Sequence, residues 1–542
     1  MPTLMADAYS NTSHRPTSGG DAYSLAPARN PALGFWLLIG VIAVVAAAKA
    51  IVADTLDPDS FWHLRVADQL SQSAWPRPLI DNLSFNSIRT PWTPYSWLAE
   101  LGMKKLWDLG GWRAAVAVQA AMESAFVLLL AMASVQFSAA AQSRGPGFLF
   151  KDRPQYLAAV LATFVGGVLS LSYLSFRPVT AALVLLALVA FLLLRDRRLD
   201  QQSRAVWFVP PITALMTNLH FYSAFVPLWC AALFVGDLLE NRFANSDRRV
   251  ARSGGLFVLS LLACLATPLL PGTIHSILSY ASSDVMVHSN VITEMRPFYR
   301  GTMGNISAAL VGILGLCVVI RVIAMRNRQA AVRLPIGELL WLAGSAILLF
   351  RIGRMAPVFA IIAAPMFAAT LPALSPRLLA RPAIVAFFAV ALAGGLYRVA
   401  RAFPTSDQSF SSWLDRHGPA APGYPCAAAD FVAQNVDPQT HRLICEFPWG
   451  GYLEWRFPGQ YQTFMDGRTQ CFSADFWQQT YFGSTAQQMT ALSAANADAA
   501  IIPVARNHFL TALTALRWRL VYRDDLAMVL VPPASPLPAA AN

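Results

Sequence analysis

The chain has 542 residues, a net charge of +11, and a composition that is 56% hydrophobic but only 13% charged. Soluble domains carry about 25% charged residues, so this composition, with a mean hydropathy of +0.45, excludes an ordinary soluble protein and indicates a polytopic α-helical membrane protein. The positive charge does not indicate nucleic-acid binding, because the basic and aromatic residues form no continuous patch.

About eleven apolar segments are predicted to cross a hydrocarbon core about 30 Å thick as helices. Residues 1–33, which precede the first, are polar and predict a disordered cytoplasmic tail without a cleavable signal peptide. The predicted spans are Gly34–Ala53, Trp112–Phe137, Tyr156–Ser175, Val179–Leu194, Ala205–His220, Phe221–Gly236, Gly254–Leu270, Ile306–Arg321, Ile336–Phe350, Ala356–Leu371 and Ala383–Ala400.

Arginine and lysine residues concentrate in alternate loops. With a cytoplasmic N-terminus, these loops lie inside, as the positive-inside rule requires. They are 144–153, 195–204, 242–252, 321–333 and 377–381. The net charge is then mainly a signature of topology, and an odd number of crossings places residues 402–542 outside the cytoplasm.

Residues 402–531 predict a small extracytoplasmic α/β domain, and 532–542, rich in Pro and Ala, a disordered tail. Cys445 and Cys471 flank a predicted hairpin and could form a disulfide. The predicted strands are Arg442–Phe447, Tyr452–Phe457, Ala499–Val504, Arg517–Tyr522 and Ala527–Val531. The predicted helices are Ala427–Asn435, Phe472–Tyr481 and Thr485–Ala495.

The first outer loop, residues 54–111, concentrates polar chemistry beside the membrane. Asp57 suits a helix N-cap and Pro58 the first helical position, which predicts an interfacial helix to about Ser73 and a second over Ser96–Leu109. Asp59 and His63 are four residues apart and share a face. The two aspartates either only cap the helix and favour its dipole, or at least one is catalytic or binds a metal.

Five segments give the chain a resemblance to the membrane-embedded GT-C glycosyltransferases, over nearly all of residues 34–531. The likeness is closest to a set of uncharacterised bacterial GT-C-like proteins. Asp57-Pro58-Asp59 stands where that superfamily carries an acidic motif after its first span. The segments are DPDSFWHLRVADQL (57–70), PWTPYSWLAELGMKKLWDLGGW (91–112), TNLH (217–220), RIGRMAPVFAIIAAP (351–365) and WGGYLEWRFPGQYQTFMDGR (449–468).

The resemblance implies transfer of a sugar from a polyprenyl-phosphate donor to an envelope glycan, lipid or protein acceptor, at the outer face of a bacterial inner membrane. Such chemistry needs a carboxylate base, for which Asp57 is the first choice and Asp59 the second. If a divalent metal assists, Asp59 and His63 are its expected ligands, although two ligands are too few alone.

Arginines at the outer ends of the spans are candidates for binding the donor phosphate, because a guanidinium binds phosphate bidentately. The alternative is that they only snorkel to lipid headgroups. Arg351 and Arg354 are the first choice, followed by Arg177 and Arg296. Possible substrate-binding residues are His63, His220, Asp466 and Arg468, of which the last two favour a structural ion pair.

Two other functions remain open at this point. A transporter or flippase usually carries internal repeats and ionisable groups near the bilayer midplane, whereas here the polar groups crowd at the outer ends. A non-catalytic envelope scaffold with a GT-C-like fold is distinguished poorly by sequence alone.

Overall fold

A computed structural model describes most of the chain. The described residues are 31–52, 56–72, 79–87, 92–140, 156–244, 248–282, 284–289, 291–300, 304–326, 335–370, 382–405, 407–417 and 423–538. Nearly all of the predicted N-terminal tail therefore lies outside the described residues.

The described residues of the N-terminal part are mainly helical. The helices are α1 (Pro31–Val52), α2 (Pro58–Gln72), α3 (Trp97–Ala140), α4 (Tyr156–Ser170), α5 (Pro178–Arg198), α6 (Val209–Leu219), α7 (Phe225–Ala244), α8 (Val250–Ala263), α9 (Leu270–Ser282), α10 (Val285–His288), α11 (Gly304–Arg326), α12 (Ile336–Arg351), α13 (Ala356–Thr370) and α14 (Pro382–Ala402).

A helix occupies each of the eleven predicted spans, and the protein is a multi-pass membrane protein. Within the described residues, seven helical segments are long and apolar enough to cross a bilayer by themselves. The segments around α6, α8 and α12 are shorter, with 11, 14 and 16 residues. Helix α13 is buried along its whole length, as expected for a helix that is apolar all round, and it forms the centre of the bundle.

One kink joins an interfacial helix to a membrane span. Helix α3 continues from Trp97 to Ala140, but Gly111 has non-helical dihedrals (φ 59°, ψ −153°). A positive φ costs glycine nothing, so the chain can change direction there. The kink lies between the predicted interfacial helix (Ser96–Leu109) and the predicted span that begins at Trp112.

The C-terminal part is a small α/β domain. A five-stranded sheet has the order β2-β1-β3-β5-β4, in which β1 pairs in parallel with β2 and β3, and β5 pairs antiparallel with β3 and β4. Its elements are α15 (Phe410–His417), α16 (Cys426–Asn435), β1 (Arg442–Cys445), α17 (Gly450–Arg456), β2 (Gln462–Thr463), α18 (Ala474–Gln479), α19 (Thr485–Ala495), β3 (Ala499–Pro503), α20 (Leu510–Ala515), β4 (Arg519–Arg523) and β5 (Ala527–Val531).

Three predictions for this domain are wrong. The predicted hairpin between Cys445 and Cys471 does not form, because β1 and β2 pair in parallel and α17 lies between them in the chain. The predicted strand Tyr452–Phe457 is helix α17, because packing against α2 overrides the β-propensity of its aromatic residues. The predicted disulfide is absent, since Cys445 and Cys471 are both free and buried. Part of the predicted tail, 532–538, packs on the domain, where the Ser535 carbonyl accepts a hydrogen bond from Arg519.

Helix α17 docks the C-terminal domain on α2, the first predicted interfacial helix. A Cβ on Gly451 would lie 2.7 Å from the Pro58 carbonyl oxygen, so only glycine permits this approach. The Tyr424 hydroxyl donates to the Leu56 carbonyl at 2.7 Å. Phe61 is fully buried, and its ring packs against the rings of Tyr424, Tyr452 and Trp455 at centroid distances of 5.1–5.3 Å. The domain therefore lies directly over the acidic motif.

Candidate active site

Asp57 both caps helix α2 and binds an arginine. Its Oδ1 accepts hydrogen bonds from the backbone N–H groups of Asp59 (3.0 Å) and Ser60 (3.1 Å), as the N-cap prediction required. Its Oδ2 accepts from the Ser175 hydroxyl at 2.6 Å and lies 2.7 Å from Arg177 Nε. Burial raises the pKa of Asp57 to about 6, against the lowering effect of Arg177.

Asp59 also accepts a hydrogen bond from Arg177, and it faces a cavity. Its Oδ2 accepts from Arg177 Nη1 at 3.0 Å, and its Oδ1 accepts from the Trp62 indole N–H at 2.9 Å. Arg177 is buried immediately before α5, which Pro178 begins. One guanidinium from the second predicted outer turn thus orients both acids of the first predicted outer loop.

Glu294 joins the acidic motif to the far arginine. It accepts two hydrogen bonds from Arg177, at 3.3 and 3.2 Å, and lies 3.2 Å from Arg354 Nη1. Burial alone would raise the pKa of Glu294, but Arg177 and Arg354 outweigh it and hold that pKa at about 2. The cluster therefore alternates carboxylates and guanidiniums in a continuous chain.

The loop that carries Arg296 positions Arg354. The Gly353 N–H donates to the Arg296 carbonyl at 2.7 Å, and a Cβ on Gly353 would lie 2.8 Å from that oxygen. Helix α12 ends at Arg351, and a short 3-10 helix, Gly353–Met355, turns Arg354 inward. Arg351 is exposed and does not line the cavity. Of the predicted phosphate ligands, the structure brings Arg177 and Arg354 into the site, whereas Arg296 contributes a backbone contact.

A small cavity of about 30 Å³ lies at the centre of these groups. A space of this size holds about one water molecule, so a sugar needs the surrounding elements to move apart. It is lined by Asp59, Trp62, His63, Tyr95, Arg177, Pro178, Val179, His220, Phe221, Tyr280, Arg354 and Gly467.

Both predicted histidines line this cavity. His63 Nδ1 lies 2.9 Å from Glu100 Oε1, and both residues are buried. Burial, reinforced by Arg177, lowers the pKa of His63 well below its usual value, so the imidazole is neutral at pH 7. His220 accepts a hydrogen bond from the Tyr222 N–H at 3.3 Å, and Tyr95 packs edge-on against its ring.

The donor set for a metal is weak. Both Asp59 oxygens are already engaged, by Trp62 and Arg177, and His63 Nδ1 is engaged by Glu100. Among the described residues, no group of three His, Cys, Asp or Glu side chains could hold a metal ion. A metal held by Asp59 and His63 stays a prediction, and no step below depends on one.

Asp466 and Arg468 form a buried ion cluster behind the cavity. Arg468 Nη2 lies 2.5 Å from Asp466 Oδ2, and Arg468 Nη1 donates to Asp81 at 2.6 Å. Glu454 lies 3.7 Å from Arg468. Only Gly467, between the two predicted residues, lines the cavity. Their arrangement fits the structural ion pair.

Four titratable residues of the site were not predicted: Glu294, Glu100, Tyr95 and Tyr280. Glu294 and Tyr280 lie in the predicted outer segment 271–305. Tyr95 immediately precedes the second predicted interfacial helix, and Glu100 lies within it. The sequence signal for these residues was their position in a predicted outer loop, next to an acidic or aromatic residue. It does not indicate which loops meet.

The fold matches solved membrane enzymes. The oligosaccharyltransferase AglB from Archaeoglobus fulgidus, solved with an inhibitory peptide and a dolichol-phosphate, superposes with a TM-score of 0.51 at 14% identity, over 87% of this chain and 69% of AglB. The chain has the GT-C fold. The apo form of the Archaeoglobus fulgidus oligosaccharyltransferase gives the same coverage and TM-score at 12% identity.

A second GT-C structure covers more of both chains at a lower score. ArnT from Cupriavidus metallidurans, bound to undecaprenyl phosphate, matches 93% of this chain and 99% of ArnT, with 14% identity and a TM-score of 0.43. No protein-family model matches the sequence. No curated protein matches it by sequence either.

Proposed function

We propose that this protein is a membrane glycosyltransferase that moves a sugar from a polyprenyl-phosphate donor to an acceptor hydroxyl at the outer face of a bacterial inner membrane. The observation that carries the proposal is the meeting of Asp59, Arg177 and Arg354 around one cavity, although 295 residues separate the first from the last. A base and two phosphate-binding cations are the groups that this transfer needs.

Arg354 suits the donor phosphate. Its guanidinium is held by Glu294, while its buried Nε has no hydrogen-bond partner among the described residues. A phosphate oxygen would satisfy that donor and gain a charge-assisted hydrogen bond. The archaeal oligosaccharyltransferase AglB, solved with a dolichol-phosphate, lends support by analogy of fold.

Asp59 is the better placed base. It lines the cavity, whereas Asp57 lies behind Arg177, and a base must first be within reach of the proton it takes. The acceptor oxygen attacks the anomeric carbon as Asp59 takes the hydroxyl proton. The bond from that carbon to the phosphate oxygen breaks, and polyprenyl phosphate leaves with its charge on Arg354. Asp57 positions Arg177.

Purified protein in nanodiscs, supplied with radiolabelled polyprenyl-phosphate sugars and envelope acceptors, tests the proposal. Asp59→Ala is expected to lower the transfer rate about 10²–10⁴-fold, the usual contribution of a general base, and to retain binding of the labelled lipid. Asp108→Ala is the matched control, because Asp108 is exposed on α3 and outside the cavity.

Two outcomes would contradict the proposal. Transfer that survives both Asp57→Ala and Asp59→Ala would remove the acidic motif from the chemistry. Binding of the labelled lipid without transfer, by a wild-type protein given every acceptor class, would favour the scaffold.

A further inference from the structure

A second, larger groove lies between the interfacial helix and the C-terminal domain. Its volume is about 330 Å³, within the ~300–1,000 Å³ range of small-molecule sites. Polar side chains dominate its lining, which includes Arg65, Asn82, His441, Glu454, Gln460 and Gln462. Lipid-binding and most cofactor-binding sites are mainly apolar, so this lining favours a ligand rich in hydroxyl groups.

Glu454 lies between the groove and the buried ion cluster. It is only 2% exposed, its Oε1 accepts from the Thr463 hydroxyl at 2.7 Å, and its side chain also hydrogen-bonds to Asp466. Arg65 Nε is buried without a hydrogen-bond partner among the described residues. An unsatisfied buried polar atom costs about 1–3 kcal/mol. A ligand hydroxyl that accepts from Arg65 Nε would remove this cost.

Glu454 is neutral. Burial raises its pKa well above the usual value, and Asp466 adds to the effect. Arg468 faces three carboxylates but is closest to Asp466 and Asp81, so Glu454 is the one that keeps its proton. The Arg65 guanidinium and the amides of Asn82, Gln460 and Gln462 then offer both the donors and the acceptors that sugar hydroxyls require.

An extended peptide fits the groove less well. Peptides commonly bind by adding a strand to an open sheet edge, and the edge strand here is β2. That edge is already covered, because Thr463 N–H donates to the Leu83 carbonyl at 2.9 Å and Phe85 N–H donates to the Thr463 carbonyl at 3.2 Å. Side-chain hydrogen bonding therefore remains as the mode of recognition.

The groove and the catalytic cavity share helix α2. Asp59 lines the cavity and Arg65 lines the groove, and six residues of α-helix separate them by about 9 Å along the axis. Glu454 and Gly467, from the same domain, line the groove and the cavity respectively. A ligand in the groove therefore lies between one and two turns of α2 from Asp59.

We propose that this groove binds the saccharide portion of the acceptor and presents it to the cavity. The inference rests on the proposed transferase function for its biological meaning, but the binding of sugar can be measured without any donor. Saturation-transfer NMR on the full chain in deuterated nanodiscs, with maltotriose and N,N′-diacetylchitobiose as probes, measures it directly.

Gln460→Trp is the variant of choice, because Gln460 is exposed and lines the groove, so a bulky side chain fills the space without entering the core. We expect saccharide affinity to fall at least about tenfold. Gln478→Trp makes the same change on another exposed glutamine of the domain, outside the groove, and should leave the affinity unchanged. Glu454→Gln should weaken binding less, since an amide keeps both a donor and an acceptor.

Equal saccharide binding by wild type and Gln460→Trp would overturn the proposal, as would binding of neither probe or preference for an uncharged tripeptide. Binding of labelled polyprenyl phosphate, measured in parallel, separates the two proposals. If the lipid does not bind but the sugars do, the transferase fails and the groove stands. If the lipid binds and sugar is transferred with an unchanged acceptor KM in Gln460→Trp, only the groove fails.

Discussion

Asp57 holds Arg177 firmly only while it is ionised. Since the pKa of Asp57 is raised to about 6, lowering the pH through that value protonates Asp57 and weakens the ion pair that orients Arg177. Glu294, with a pKa of about 2, stays ionised throughout this range. We therefore expect the transfer rate to fall as the pH drops below about 6, measured as kcat from pH 4.5 to 8.

The variant Asp57→Asn tests whether protonation of Asp57 causes the fall in transfer rate. The amide cannot ionise, so the variant should be slower than wild type at pH 7.5 and should lose the step in its pH profile near 6. Asp108→Asn should keep the wild-type profile. A profile that retains the same step in Asp57→Asn would assign the titration to another group.

Arg354 and Arg351 form a natural matched pair. Arg351 is the last residue of α12 and Arg354 stands three residues later, but Arg354 lines the cavity and pairs with Glu294 whereas Arg351 is exposed. A hydrogen bond to a charged group contributes about 1.5–3 kcal/mol. Arg354→Ala should thus weaken binding of labelled polyprenyl phosphate about 10- to 100-fold, and Arg351→Ala should leave the Kd unchanged. Equal losses would indicate nonspecific attraction to the lipid.

The sequence predicted the two aspartates of the site better than its arginines and Glu294. Asp57 and Asp59 were predictable because the N-cap rule and the family motif fix their place. The choice between Arg351 and Arg354 was not, since it depends on Ile352, whose extended backbone (φ −139°) ends the helix between them. Glu294 could not be assigned either, because no local pattern indicates which loop meets Arg177.

At the scale of elements, hydrophobic periodicity predicted most helices, and glycine marked the kink in α3. Periodicity failed at α17. The signal that it missed was the pair Gly450-Gly451, because a Cβ on Gly450 would overlap the Met465 carbonyl. The cations of the arginine- and lysine-rich loops were predicted only as indicators of membrane topology. Arg197, one of those cations, is buried between Asp237 of α7 and Glu338 of α12, at 2.6 and 3.0 Å.

Helices α7 and α12 cross where two glycines meet. A Cβ on Gly236 would overlap the backbone of Gly337, whereas Gly344, on the same α12, has open space around its Cβ position. Overpacking costs about 1–3 kcal/mol, so Gly236→Ala should lower the melting temperature in detergent by several degrees. Gly344→Ala should not. Identical melting curves for both variants would exclude close packing as the reason for the glycine pair.

At the scale of the whole molecule, the C-terminal domain closes one side of the candidate site, because it lies on α2 and Gly467 lines the cavity. Residues about 400 positions apart in sequence touch there: Gly451 approaches Pro58, and Gly467 approaches Asp59. Composition predicted the membrane part and the C-terminal domain. It could not predict their contact, because that contact depends on the shapes of the two surfaces and not on a periodic sequence pattern. The small volume of the cavity follows from this close docking, so docking should control access as well as geometry.

Gly467→Ala tests that control. The new Cβ would overlap Asp59 Oδ1 and lie 2.9 Å from the Trp62 indole nitrogen, so either Asp59 must shift or the domain must lift. Gly451→Ala also crowds α2, against the Pro58 carbonyl, but does not touch Asp59. Both should loosen docking by about 1–3 kcal/mol, whereas only Gly467→Ala should lower kcat more than tenfold with lipid affinity intact. Equal kcat losses in the two variants would mean that docking, and not the position of Asp59, limits the reaction.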